Sequence, residues 1–310
     1  MTFINKNVIK INDYPFERLK KLFGSVDTDP RKKEINLSIG QPHHKYPLFV
    51  NKTISKHKDK WNLYPPSNGI PKLRKAYSKW LKNRFKITSL VNDDNILPLS
   101  GTKEGLFSVA LSLDIKKIII PNPFYQVYFS SSLFQNPDVA FITSLEENNY
   151  LIDLKKLESK LRQKKTLVYF CSPTNPQGKT ASFSYLKSLI TLVRNYNATL
   201  IIDECYIDVY TNTKPVGALE ICDNLRKGLN NILIFHSLSK RSNVAGIRSG
   251  FVVGDSKIIK IFRKLRSYSA PTIPIPLQFV SASLWEDEKH VIENRLLYKK
   301  KFDYADKVFS

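Results

Sequence analysis

The sequence predicts an α/β fold, a mainly parallel sheet with helices on both faces. Two observations lead there. Apolar runs of strand length, such as residues 118–120 and 200–202, alternate with stretches of helical period. That order is the one expected of strands joined by crossover helices. In addition, 42% of the 310 residues are hydrophobic. A sizeable core can be built from them, and a disordered chain would carry fewer.

The elements can be read in order. Residues 1–45 are mixed, with a short helical stretch over 16–23. Pro42, Pro47, Pro65 and Pro66 then mark a loop-rich region. Residues 72–85 read as a helix with Leu73, Ala76, Tyr77, Trp80 and Leu81 on one face. A second helix is predicted over 103–113, a buried strand over 118–120, a helix over 124–134 and a strand over 139–142. Asp153 stands where it would cap a helix over 153–161. A strand over 167–170, a helix over 183–196 and a strand over 199–202 follow. Residues 232–235 and 251–253 are the last predicted strands. In sheets of this kind a ligand sits beyond the carboxyl ends of the strands.

Composition sets several classes of protein aside. The apolar runs fall far short of the ~20 residues of a membrane span, so no membrane partner is expected. The opening MTFINKNVIKINDYPF has no apolar signal core with a cleavage site, and secretion is not expected. Cys171, Cys205 and Cys222 are widely separated, which argues against a disulfide framework or zinc site and for a cytoplasmic setting. His43, His44, His57, His236 and His290 lack metal-ligand spacing, and no metal is expected. The formal net charge is +22. Nucleic-acid binding is one reading of that charge, but the basic residues run from Lys6 to Lys307 without an RNA-recognition or helix-turn-helix signature. A lysine-rich solvated surface is the better account, and its field would draw in anionic small molecules. The GKT at residues 178–180 looks like the end of a nucleotide-binding loop. Such a loop needs glycine five positions before Gly178, where Pro173 stands.

Polar turns, most of them containing glycine, flank the predicted strands. CSPTNPQG follows 167–170, DECY follows 199–202, HSLSKRSNVAGIRSGF follows 232–235, and LPLSGTKEG leads into the helix at Lys103. The stretch from Ser237 to Arg248 is the strongest signal. A lysine flanked by Ser237 and Ser239, with an arginine eight positions on, suits a phosphorylated aldehyde cofactor. The Lys240 amine can condense with the aldehyde. Ser237 and Arg248 can hold the phosphate, the arginine through a forked pair of hydrogen bonds. A basic surface loop is the competing reading of these residues taken alone.

Read together, these turns resemble the fold-type-I aminotransferases of class I/II, and the resemblance runs through essentially the whole chain in order. Within that family, YPFERLKKL, NLSIGQP, YPPSNGIPKLRKAYSKWL, PNPFYQVY, DECYIDVY, FHSLSKRSNVAGIRSGFVVGD and ENRLLYKKKFD are similar to the proteobacterial succinyldiaminopimelate aminotransferases. The resemblance implies a seven-stranded sheet and pyridoxal 5'-phosphate (PLP) as cofactor. It implies amino-acid and 2-oxo-acid substrates exchanged in ping-pong fashion. Glutamate with 2-oxoglutarate would be one pair, and N-succinyl-L,L-diaminopimelate with its keto acid the other. Other members of the class, acting on aspartate, aromatic amino acids or N-acetylornithine, are the alternatives.

The resemblance also assigns roles. Asp203 would pair with the pyridine nitrogen, although an Asp there could be a plain helix cap. Tyr206 and Asn175 would bond the ring's phenolic oxygen, although Asn175 before Pro176 could be a simple turn. Tyr125 would stack on the ring, where an ordinary core aromatic is the other reading. Gly101, Thr102 and Lys103 would present backbone N–H groups to the phosphate. Gly40 would approach the substrate carboxylate. Tyr64 would reach the phosphate of a neighbouring subunit in a homodimer. Cis bonds are expected at Asn122–Pro123 and Asn175–Pro176. Residues 46–282 would form the large cofactor-binding domain, with 1–45 and 283–310 belonging to a small α+β domain. That domain is expected to be incomplete, because the chain ends 70 residues after Lys240 without the arginine that clamps the substrate carboxylate. Cofactor binding with impaired turnover and exposed apolar surface near Phe302 and Phe309 is the corresponding expectation.

Overall fold

The computed structural model describes residues 2–309 apart from 25, 27, 28, 34, 131–133 and 270. Four helices come first: α1 (Lys6–Ile9), α2 (Pro15–Phe23), α3 (Phe49–Lys56) and α4 (Pro71–Phe85). Strand and helix then alternate. β1 (Ile96–Leu99) leads to α5 (Thr102–Ser108), β2 (Lys117–Asn122) to α6 (Val127–Ser130), and β3 (Asp138–Thr143) to α7 (Leu154–Lys160). β4 (Thr166–Cys171) leads to α8 (Phe183–Asn195), β5 (Thr199–Asp203) to α9 (Ala218–Leu225), and β6 (Ile232–Ser237) to α10 (Leu238–Arg241). After β7 (Gly250–Gly254) come α11 (Ser256–Ser269), α12 (Ile275–Glu286) and α13 (Lys289–Phe309).

The seven strands form one sheet in the order β1-β7-β6-β5-β4-β2-β3. β7 runs antiparallel to both its neighbours, and the other pairings are parallel. β1, β4, β6 and β7 are buried at every position and mainly apolar because both faces are covered there, whereas β3 at the edge is largely exposed. Along β4, Val168 and Phe170 enter the core packed by α4, α8, α9 and α12. Leu167 and Tyr169 enter the opposite core, packed by α5, α6 and α11. The predicted helix face of Leu73, Ala76, Tyr77, Trp80 and Leu81 is buried against α12.

Several predicted elements need adjusting. The helix expected over 124–134 is α6 alone, and residues 131–133 lie outside those described. The helix expected to Leu113 is α5 followed by a 3₁₀ turn over Val109–Ser112. β1 was hidden by Pro98. It is an edge strand, the place in a sheet where proline is tolerated. Part of the region expected to be loop forms α3. Asp153 does cap α7, accepting from the N–H groups of Lys155 and Lys156. Among the described residues none before Val50 is buried, and Phe302 and Phe309 stand exposed on α13. Among the described residues, no helix is long and apolar enough to cross a membrane.

Candidate active site

The topology gathers the predicted residues. β4, β5 and β6 end together, with Cys171 paired to Asp203 and Asp203 to Phe235. Because β7 is reversed, it starts where β6 stops, and Ser237 pairs with Gly250. Arg248, just before β7, is thereby carried to the edge reached by Asp203 and Lys240. The same reversal brings the end of β1 to Gly250 through Leu99, placing Gly101 beside Arg248. A cavity of about 720 Å³ opens at this edge. Lys240, Asp203, Tyr206, Asn175, Tyr125 and Gly40 line it, and so do Thr102, Lys103, Ser237, Ser239 and Arg248. Gly101 lies just behind Arg248. Tyr64 is fully exposed and outside the cavity.

Asp203 closes β5 and is 5% exposed. Its Oδ2 accepts from the Tyr128 hydroxyl at 2.7 Å and its Oδ1 from the Cys205 N–H at 3.1 Å. Burial raises its pKa, against the pull of these bonds from Cys205 and Tyr128. A carboxylate so placed calls for a cationic or N–H partner in the cavity. Burial also lowers the pKa of Lys240, which keeps more of its amine in the nucleophilic form. That amine donates to the Gly40 carbonyl and lies 5.6 Å from the centre of the Tyr206 ring.

A phosphate-sized cradle sits opposite. Gly101 has φ +83° and is the N-cap of α5 without a side-chain cap. The first N–H groups of α5 are therefore left for an outside acceptor. A Cβ on residue 101 would fall 2.2 Å from Nη2 of Arg248, so a side chain there would push the guanidinium out of its present position. Ser237 opens α10, its Oγ accepting from the Ser239 N–H at 3.1 Å. The donors present, two hydroxyls, a guanidinium and uncapped amides, suit a phosphate dianion.

A buried ion network holds the platform. Asp208, two residues past Tyr206, accepts from Arg84 Nε at 3.0 Å and from Arg241 Nη1 at 2.6 Å. Burial alone would raise the pKa of Asp208, but Arg241 and Arg84 hold it below the usual carboxylate range. The turn carrying Tyr206 is thus tied to the turn carrying Lys240. The bonds at Asn122–Pro123 and Asn175–Pro176 are cis, as expected, and so is Ser172–Pro173.

Sequence reasoning did not single out Tyr128, the partner of Asp203, or Cys205, whose Sγ lies 3.1 Å from the Thr102 hydroxyl. It also passed over Tyr14, Phe16 and Gln126 as cavity walls. Both Tyr14 and Tyr128 lie inside quoted motifs, but only folding shows what they touch. Arg295 lies outside the cavity and stacks over Tyr210 at 4.6 Å.

The sequence profile of the aminotransferase class I and II family matches residues 32–309. The chain belongs to that family. It is 28% identical over 306 residues to the LL-diaminopimelate aminotransferase of Dehalococcoides mccartyi strain 195, covering 97% of this chain and 77% of that one. The enzyme of the same name from strain BAV1 is 30% identical over 308 residues, with the same coverage. Among solved structures, an aminotransferase from Neisseria meningitidis superposes with a TM-score of 0.90 at 34% identity, over 97% of this chain and 78% of that one. The aminotransferase AspB of Helicobacter pylori gives 0.89 at 33%, over 97% and 80%. The fold is type I, and the cofactor of this aminotransferase is PLP. A buried carboxylate, an amine of lowered pKa and the Gly101–Arg248 cradle are a donor set that fits it.

Proposed function

We propose that this aminotransferase acts on the diaminopimelate skeleton, as N-succinyl-L,L-diaminopimelate, with glutamate and 2-oxoglutarate as the other pair. The observation that carries the reading is the length of the site. Past Lys103 the cavity adjoins a second one of about 750 Å³. Tyr14, Lys103, Phe124, Gln126 and Arg248 border both. The second cavity adds apolar Phe107, Leu111 and Phe129 and the cation Arg18. Such a site has room for a substrate longer than aspartate, and because Asp13 and Glu104 of its lining are paired with Lys21 and Arg266, Arg18 and Lys103 can face a distal carboxylate. Unmodified LL-diaminopimelate is the second reading, favoured by the names of the relatives. Loading the protein with PLP and adding each amino donor in turn separates the two. Loss of cofactor absorbance in the visible at the lowest concentration is expected with the succinylated compound. A preference of tenfold or more for LL-diaminopimelate assigns the site to the unmodified form, and equal response to aspartate removes both readings.

In this reading PLP, when bound, supplies the electron sink that makes the substrate α-carbon acidic. The protein does the rest. Lys240 moves a proton between the α-carbon of the substrate and the cofactor carbon that receives the amino group. Asp203 would keep the ring nitrogen protonated. Tyr206 and Asn175 would bond the phenolic oxygen, and Tyr125 would pack against the ring. Ser237, Ser239, Arg248 and the amides of Gly101, Thr102 and Lys103 would hold the phosphate. Gly40 guides the substrate carboxylate, as part of the small domain made by 1–45 and 283–310.

Tyr64 completes the site only if it belongs to a second copy. It is fully exposed here, next to half-exposed Leu63 and Trp61, which fits a segment that enters a homodimer partner. Mixing Tyr64→Phe with Lys240→Ala chains in equal amounts should restore one intact site in each heterodimer. Random pairing sets the recovery at roughly a quarter of wild-type activity. Recovery no greater than the sum of the separate variants rules out a shared site.

A further inference from the structure

We infer that Asn294 is a positioning residue for Lys240, joining the helix that carries the lysine to the N-terminal strap that its amine touches. The problem it solves is local. α10 is a four-residue helix, far too short to be stable alone. What fixes the Lys240 backbone must come from outside. The front of α10 is held by Ser237 and by the Leu238 N–H, which donates to Ser249. Its rear is held by Glu288, which directly precedes α13, and by α13 itself. Arg241 bonds Glu288 at 2.6 Å, and Ser242 bonds His290 at 2.8 Å.

Asn294 is the next contact along α13 and the one that reaches Lys240 itself. It is 4% exposed. Its Nδ2 donates to the carbonyl of Arg241 at 3.2 Å and that of Lys240 at 3.4 Å. Those two carbonyls fix the amide orientation, because only a donor can face them. Oδ1 must then face the other way, where it accepts from Asn243 Nδ2 at 2.9 Å and from His44 Nδ1 at 2.8 Å. His44 therefore donates from Nδ1. Its ring also packs on Tyr298, one turn further along α13, at 4.6 Å.

His44 lies four residues beyond Gly40, whose carbonyl takes the Lys240 amine. The strap thus meets Lys240 twice, at the side chain through Gly40 and at the main chain through His44 and Asn294. A single buried amide sets the distance between the lysine backbone and the carbonyl that orients its amine. ENRLLYKKKFD, the motif that supplies Asn294, has no other part in the site as described. An amine that must reach both a cofactor carbon and a substrate α-carbon is sensitive to small misplacement, about 100-fold for 1 Å.

The inference rests on Lys240 being the cofactor lysine, and the test keeps the two apart. Apoprotein is mixed with PLP, and covalent uptake is followed by visible absorbance across pH. His44→Phe keeps a ring against Tyr298 and removes the hydrogen bond. His44→Asn loses the ring and can restore the bond. The Phe variant should take up PLP about 10-fold more slowly, with its pH midpoint displaced from that of wild type. The Asn variant should recover both rate and midpoint. Asn294→Leu should show the larger defect, about 100-fold, and little further loss when combined with His44→Phe. The proposal is overturned if His44→Phe matches wild type in rate and midpoint, or if His44→Asn is the worse of the two. The His44 pair decides the matter should Asn294→Leu fail to fold. A Lys240→Ala control that still takes up PLP covalently overturns the assignment of the lysine instead.

Discussion

Replacing Lys240 with alanine should abolish covalent attachment of PLP and lower transamination by about 10⁴-fold or more, since general acid–base transfer alone is worth up to that much. The fold should survive. The Lys240 side chain projects into the cavity, and its one hydrogen bond among the described residues is to the carbonyl of exposed Gly40. The backbone of α10 is held by Ser237, Arg241 and Asn294, which the substitution leaves in place. Borohydride reduction and peptide mapping provide the check. In the wild-type protein the label should fall on the peptide containing Lys240, and in the variant it should disappear. A variant that still carries the label on one specific lysine would show that Lys240 is the wrong residue. The pH dependence carries a sign. Burial lowers the Lys240 pKa from 10.5, and the free amine is the form that attacks. Uptake of PLP should therefore persist to lower pH than for a free lysine and fall away only below the lowered pKa.

Much of this was legible in the sequence for a physical reason. A strand buried on both faces must be apolar at every position, and the turn after it must be polar. Residues 167–170 followed by CSPTNPQG, and 199–202 followed by DECY, show that switch plainly. β1 did not, because four residues that include Pro98 carry little strand signal. α12 was missed for the opposite reason. Eight of its residues are buried, and with so little polar face its pattern has no helical period to read. The site residues nearest the strand ends could be named because chain order alone places them. Partners that are distant in sequence could not. The bonds from Tyr128 to Asp203, from Lys240 to Gly40, and from Asn294 to His44 each join segments 75 or more positions apart. Nothing in a local pattern announces them.

Asp203→Asn should leave PLP attached to Lys240 and still lower kcat/KM by about 10³-fold, the scale for losing one preorganised electrostatic contact at the reacting system. Asparagine keeps the size of the side chain and can still accept from the Cys205 N–H. It cannot carry the charge that holds a proton on the ring nitrogen. Reconstitution with PLP methylated at that nitrogen makes the positive charge permanent. If the task of Asp203 is to maintain that charge, the methylated cofactor should recover most of the lost activity in the variant. Failure to recover would assign Asp203 a packing role instead. The pH dependence of PLP binding supplies a second check. Burial raises the Asp203 pKa, so its carboxyl takes up a proton at higher pH than a free aspartate does. A protonated Asp203 cannot attract the ring cation. Wild-type affinity for PLP should then fall as pH drops through that raised pKa, and the Asn variant should lose this step while keeping the step at higher pH that belongs to Lys240. Tyr128→Phe bears on the same step from the other side. The Tyr128 hydroxyl donates to Oδ2 at 2.7 Å and so favours the charged form. Its removal should raise the Asp203 pKa further and move the acidic step in PLP affinity to higher pH.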